Sequence, residues 1–183
     1  MDKYIDQLKW VEQVFHGLFA TSHQVKLVGG AEEPLYLPTT DEDHSARIIY
    51  TRDYVSSALH EIAHWCIAGE SRRKLVDYGY WYEGDGRSLA AQKKFEAAEI
   101  KPQALEWIFS EAIGIRFRVS VDNLTGEPMD AETFKVQVVA QARHFLSSGM
   151  PTRATQFARA LADAAGSAWD LSDTSRFSLQ QLR

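Results

Sequence analysis

Cysteine is nearly missing: Cys66 is the single example among 183 residues. One thiol cannot close an internal disulfide, nor can it furnish the cysteine-rich tetrahedron of most structural zinc sites. A basic excess is also missing. Lys and Arg number 20 against 25 Asp and Glu, a net charge of -5, whereas general nucleic-acid binders usually carry a strong positive balance. Direct nucleic-acid binding is therefore not expected. No run approaches the roughly 18 apolar residues of a membrane span, and Met1-Asp2-Lys3-Tyr4-Ile5-Asp6 lacks the apolar core of a secretory signal. The five prolines and eleven glycines never gather into a linker, and no repeat or low-complexity run divides the chain. These absences predict one cytoplasmic domain over residues 1–183 with no membrane partner. Apolar residues make up 45% and aromatics 11%. A chain of this length can bury roughly 70% of its unfolded surface, so a core needs no staples.

Hydrophobic spacing changes period along the chain. Tyr4, Leu8, Val11, Phe15 and Leu18 recur at steps of four and three, which predicts an amphipathic helix over 2–19. Residues 25–28, 34–37 and 46–50 are short, branched or aromatic, and bounded by Gly, Pro and Asp, as strands are. Helical spacing returns over 53–69, ending at a glycine. A loop rich in aromatics and charge covers 71–87. Helix is expected again from 88 to about 117, with a break or fresh start at Pro102. A helix over 131–146 carries Phe134, Val138, Ala142 and Phe145, and a last one carries Phe157, Leu161, Ala164 and Ala168. The polar tail after Asp170 is expected to be poorly ordered. The fold class is α+β: helix-rich, with one small sheet packed on the helix over 53–69.

That helix contains His60-Glu61-Ile62-Ala63-His64. Residues four apart on a helix lie about 40° apart around its axis, so both imidazoles can reach one metal ion. With His60 at zero, Val55, Leu59, Ile62 and Cys66 fall between about 200° and 260°, an apolar stripe. Ser56, Ser57, His60, His64 and Ile67 lie within about 60° of zero, on the other side. Histidines belonging to a core would share the stripe. Cys66 points away from the two histidines and reads as a small buried hydrophobe.

Two histidines need a third protein ligand, with positions left open for reactants. Glu96, Glu99 and Glu106 are available downstream. On one continuous helix Glu99 and Glu106 would sit within about 20° of each other, so periodicity alone does not choose.

Ser57-Ala58-Leu59-His60-Glu61-Ile62-Ala63-His64-Trp65-Cys66-Ile67-Ala68-Gly69 resembles the signature of the bacterial elongation factor P hydroxylase family. Asp77-Tyr78-Gly79-Tyr80-Trp81-Tyr82 resembles its aromatic segment. Phe95-Glu96-Ala97-Ala98-Glu99-Ile100-Lys101-Pro102 resembles its second helix block. Glu33-Pro34-Leu35-Tyr36-Leu37-Pro38 and Val119-Ser120-Val121-Asp122-Asn123-Leu124 also match, so the resemblance runs from about Gly29 to Asn123. It implies a fold like that of small metal-dependent hydrolases. It further implies hydroxylation of elongation factor P, the protein partner, on a lysine already extended by a β-lysyl group. The implied site is a 2-His-1-carboxylate centre for one divalent ion, Fe(II), held by His60, His64 and Glu99. Glu99 ranks first because it precedes Ile100-Lys101-Pro102; Glu106 and Glu96 follow.

Two chemistries share this motif. In an iron-dependent oxygenase Glu61 orients a ligand or holds water. In a zinc peptidase the same Glu61 is the general base on bound water. The extent of the matching blocks favours the oxygenase, and no co-substrate is named by any motif. Substrate amines would be attracted by acids and aromatics of the 71–87 loop, namely Asp77, Tyr80, Glu83 and Asp85. Arg72, Arg73 and Lys74 read either as a solvated run or as a contact for an acidic partner surface.

Overall fold

A computed structural model describes residues 3–79, 89–120 and 131–182. Helix α1 (Lys3–Phe19) leads into strand β1 (Val25–Ala31), followed by β2 (Leu35–Leu37) and β3 (Ala46–Thr51). Helices α2 (Val55–Ile67), α3 (Leu89–Ala112), α4 (Ala131–Ser148) and α5 (Thr152–Ala164) complete the order. Among the described residues the architecture is the expected α+β type, five α-helices and one three-stranded sheet, with α1 and α2 packed on the sheet.

The sheet is mixed, with strand order β1-β3-β2; β1 runs parallel to β3 and β2 antiparallel to it. Period-two alternation sends Val25 and Leu27 of β1 inward together with Ala46, Ile48 and Tyr50 of β3. The register pairs Val25 with Ala46 and Leu27 with Ile48, so both strands offer one apolar face. The ladder shifts between Val28 and Ala31. Gly29 sits there because any side chain would collide with the Tyr50 hydroxyl, itself bonded to Glu12 Oε1 at 2.8 Å.

β3 turns directly into α2. Arg52 and Asp53 both adopt left-handed backbone, with φ of 46° and 55°. That corner starts the helix at Val55 rather than at Asp53. Ser57 Oγ accepts the Thr51 N–H at 3.0 Å, fastening the first helical turn to the strand end. At the other end the helix stops at Ile67, because Ala68 is extended (ψ 122°), so the expected glycine stop at Gly69 is not used. Val55, Leu59, Ile62 and Cys66 are all buried. So is Trp65, off that stripe, which meets Phe15 and Phe19 of α1 at ring distances of 5.5 and 4.9 Å.

α3 is one helix through Pro102, where the sequence suggests a break. Proline costs the helix one N–H donor and crowds the preceding turn, yet packing holds the helix here. It ends at Ala112 rather than near Phe117, where Gly114 takes φ +67° and Ile115 N–H bonds the Ser110 carbonyl at 2.9 Å. α5 ends at Ala164 with Gly166 at φ +61°, so Ala168 lies outside it. Ala164 and Ala168 are exposed, and Ala154, Phe157, Ala158 and Leu161 form the buried face. The tail is also corrected. Phe177 is fully buried, 4.8 Å from Trp107 and 5.9 Å from Trp169, and Arg143 Nε holds its carbonyl at 2.7 Å. Polar composition hides this one aromatic anchor. Among the described residues no helix is long and apolar enough to cross a membrane.

Candidate metal centre

Two helices build the site. α2 contributes His60, Glu61 and His64; α3, packed beside it, contributes Glu99, Gln103 and Glu106. Steps of four and three along α3 put its three side chains on one face, within about 60°. They line a cavity of about 620 Å³ together with Tyr54, Ser57 and residues 115–118.

The contacts order the candidate ligands. His60 Nε2 lies 3.3 Å from Glu99 Oε2, His64 Nε2 lies 3.1 Å from Glu99 Oε1, and the two Nε2 atoms are 3.1 Å apart. Each of these three side chains offers one ligand atom within 4.8 Å of the others, an arrangement able to hold a metal ion. On the far side of its ring, His60 Nδ1 lies 2.9 Å from Glu106 Oε2. A carboxylate accepts from N–H, so Nδ1 carries a proton, and Nε2 is the nitrogen that would meet a metal once its own proton is displaced.

The chemistry of this donor set is a test of fit. Two imidazole nitrogens and a carboxylate converge on one point, a cluster that either shared protons or a cation must hold together. Donors about 2.1 Å from a shared ion are separated by about 3.0 Å at a right angle and about 3.4 Å at a tetrahedral one. The observed 3.1–3.3 Å separations fall in that span. The set fits a divalent transition metal.

The electrostatics agree. Burial works against a charged His60, yet the Glu99, Glu106 and Glu61 carboxylates outweigh it and lift its pKa to about 10. Burial likewise opposes ionisation of Glu99, but His64 and His60, helped by Gln103, bring it down to about 2. Burial dominates at Glu61 and Glu106 and raises both. Three carboxylates around two imidazoles leave a surplus of negative charge that a metal cation would relieve.

The site gathers most, but not all, of the residues expected from the sequence. His60, His64 and Glu99 converge. Glu61 lines the cavity. Glu106 grips the outer nitrogen of His60, and Glu96 stands outside the group that could hold a metal. Asp77 Oδ1 accepts the Tyr36 N–H at 2.8 Å, which occupies it in fastening the edge strand β2. Tyr80, Glu83 and Asp85 lie outside the described residues. Cys66 is buried, its thiol pushed up to about 12, and is no ligand. The 72–74 run has structural work: Arg72 Nε donates to the Tyr78 carbonyl at 2.8 Å, Arg73 Nη1 to the Ala68 carbonyl at 2.6 Å, and Lys74 pairs with Glu70. Gln103, Tyr54, Arg116 and Arg118 went unread from sequence. For Gln103 a signal existed, since it stands four residues after Glu99 and three before Glu106.

Comparison with known proteins adds what geometry leaves open. The family model described as elongation factor P hydroxylase matches residues 14–174. A curated protein of Haemophilus influenzae, named elongation factor P lysine hydroxylase, is 47% identical over 155 residues, covering 85% of this chain and 87% of that relative. The match with the family model runs through α2, α3 and the cavity-lining segment 115–118. With its convergent histidines and carboxylate lying inside that span, the chain belongs to the elongation factor P hydroxylase family.

Proposed function

We propose that this chain is a cytoplasmic single-domain Fe(II)-dependent oxygenase that hydroxylates the β-lysylated lysine of elongation factor P. The observation that carries this reading is the convergence of His60, His64 and Glu99 beside a cavity that His60 and Glu99 line. His60, His64 and Glu99 would hold the iron, which, when bound, supplies the oxygen chemistry and positions for reactants. Membership of a hydroxylase family supports oxygenation over hydrolysis at the same motif.

The chain's own residues have definable parts. Glu106 keeps the proton on His60 Nδ1 and so keeps Nε2 facing inward. Glu61 borders the cavity beside the ligands and orients them or moves a proton for the substrate. The acidic floor, Glu61 and Glu106, attracts the amines of a lysine-derived side chain that enters the cavity. Tyr80, Glu83 and Asp85 contribute to substrate binding from the aromatic segment. Asp77 acts there through its hold on Tyr36.

Intact mass of β-lysylated elongation factor P, incubated with the iron-loaded protein under air and a chemical reductant that supplies the two electrons taking the second oxygen atom to water, tests the proposal. The expected gain is the mass of one oxygen atom, with unmodified factor a poor substrate. Cleavage products without oxygen, supported by zinc in anaerobic buffer, would establish the peptidase chemistry instead.

A further inference from the structure

Gln103 is 1% exposed and sits between Glu99 and Glu106 on the cavity face of α3. Its carboxamide makes two opposed hydrogen bonds to the backbone of one residue. Nε2–H donates to the Ser120 carbonyl at 2.8 Å, and Oε1 accepts the Ser120 N–H at 3.1 Å. A side chain here imitates the pairing of a β-strand, and the two bonds together fix which end of the amide is nitrogen. Gln103 stands one turn after Glu99 on the same face of α3, where both line the cavity, and its carboxamide helps hold the Glu99 carboxyl low. Ser120 ends the segment 115–120, whose alternation buries Phe117 and exposes Arg116 and Arg118 on the cavity wall. That segment follows α3 without regular structure of its own, so a buried two-point clamp is a strong constraint on its course.

We propose that Gln103 is a positioning residue that ties the Glu99 carboxylate to the cavity wall at Ser120, holding the metal centre and the substrate-facing wall in one register. The inference rests on the metal-site reading above. Gln103 touches neither ion nor substrate; it acts through Glu99 on one side and through 115–120 on the other. A rigid link of this kind couples the two sites reciprocally, so an event at the centre is felt at Ser120.

The test uses the full chain and Co(II) as a visible probe of the centre. Gln103→Met keeps the length and apolar volume of the side chain and removes every hydrogen bond. It is expected to weaken Co(II) binding by about 10–100-fold, the usual cost of losing a partner of a metal ligand. Ser120 amide exchange, followed by NMR, is expected to slow when Co(II) binds the unmodified chain and to become insensitive to Co(II) in Gln103→Met. A residue that only supports packing would lower the melting temperature without moving either readout. Unchanged Co(II) affinity in Gln103→Met, or no response of Ser120 to Co(II) in the unmodified chain, overturns the proposal. Should Gln103→Met fail to fold, Ser120→Pro removes the N–H that Gln103 Oε1 accepts, together with the hydroxyl, and fixes φ at that residue. It should raise KM for the modified factor more than it lowers kcat, and an unchanged KM would refute the link. Glu99→Gln separates the two readings. If it loses Co(II) while Gln103→Met does not, only the role of Gln103 fails; if it retains Co(II), the metal site fails and takes this proposal with it.

Discussion

An imidazole presents a lone pair to a metal only when its other nitrogen holds the proton, and Glu106 enforces that at His60. Ligand loss and partner loss should therefore differ in degree. His60→Ala or His64→Ala is expected to abolish binding of one divalent metal while the circular dichroism spectrum stays native. Glu99→Gln should lower affinity sharply, whereas Glu106→Gln should cost about 10–100-fold; equilibrium dialysis distinguishes them. The pH dependence follows from the same contacts. His60 is raised to about 10, so its contribution to stability is full below its unfolded value near 6.5 and is lost as pH rises toward 10. Glu99 is lowered to about 2, so its contribution is present above about 4.5 and lost as pH falls toward 2. The melting temperature of the metal-free protein should accordingly decline from about pH 6.5 upward. Divalent metal replaces the proton, so the metal-induced rise in melting temperature should grow over that range.

At the scale of elements, the helix that bears both histidines is held at its C-terminal end by a residue far along the chain. Arg153 Nη2 donates to the carbonyls of Trp65, Cys66 and Ala68 at 2.9, 3.1 and 2.7 Å, and its guanidinium lies 4.6 Å from the Trp65 ring. A positive charge satisfying the last carbonyls of a helix also opposes the negative end of its dipole. Arg153→Ala should destabilise the fold by about 2–3 kcal/mol, since charge-assisted hydrogen bonds are the stronger kind. Arg153→Lys should recover only part of this, because an ammonium is more strongly hydrated and lacks the planar face that stacks on the Trp65 ring. Urea denaturation measures both. The α2 motif was readable because both histidines and the stripe opposite them lie within thirteen residues. The cap was not, since it joins positions 85 to 88 residues apart.

Across the whole molecule, the tail closes the core. Phe177 is fully buried against Trp107, which belongs to α3 together with Glu99, Gln103 and Glu106. Phe177→Ala should cost about 3–5 kcal/mol, the usual price of an emptied aromatic site. Calorimetry should show a lower melting temperature, while Co(II) affinity at 25 °C in the folded fraction stays near that of the unmodified chain.

Local spacing, read from the sequence alone, determined the helices over most of their length, the three strands, and the side of α2 on which His60 and His64 stand. Each depends on backbone periodicity over a few residues, which composition expresses directly. Pro102 and Gly69 mark helix boundaries that the structure does not use, because a proline or glycine shows what the backbone permits, while packing decides what it does. Only the tertiary structure gives Glu99 and Glu106 different surroundings. Both share a helix face with Gln103, and the placement of α3 against α2 brings one carboxylate to the two Nε2 atoms and the other to the outer nitrogen of His60. The same holds for Asp77, turned from a surface acid into the anchor of Tyr36 across 41 residues. A side chain's partner depends on where distant segments meet in space, and no local period encodes that meeting.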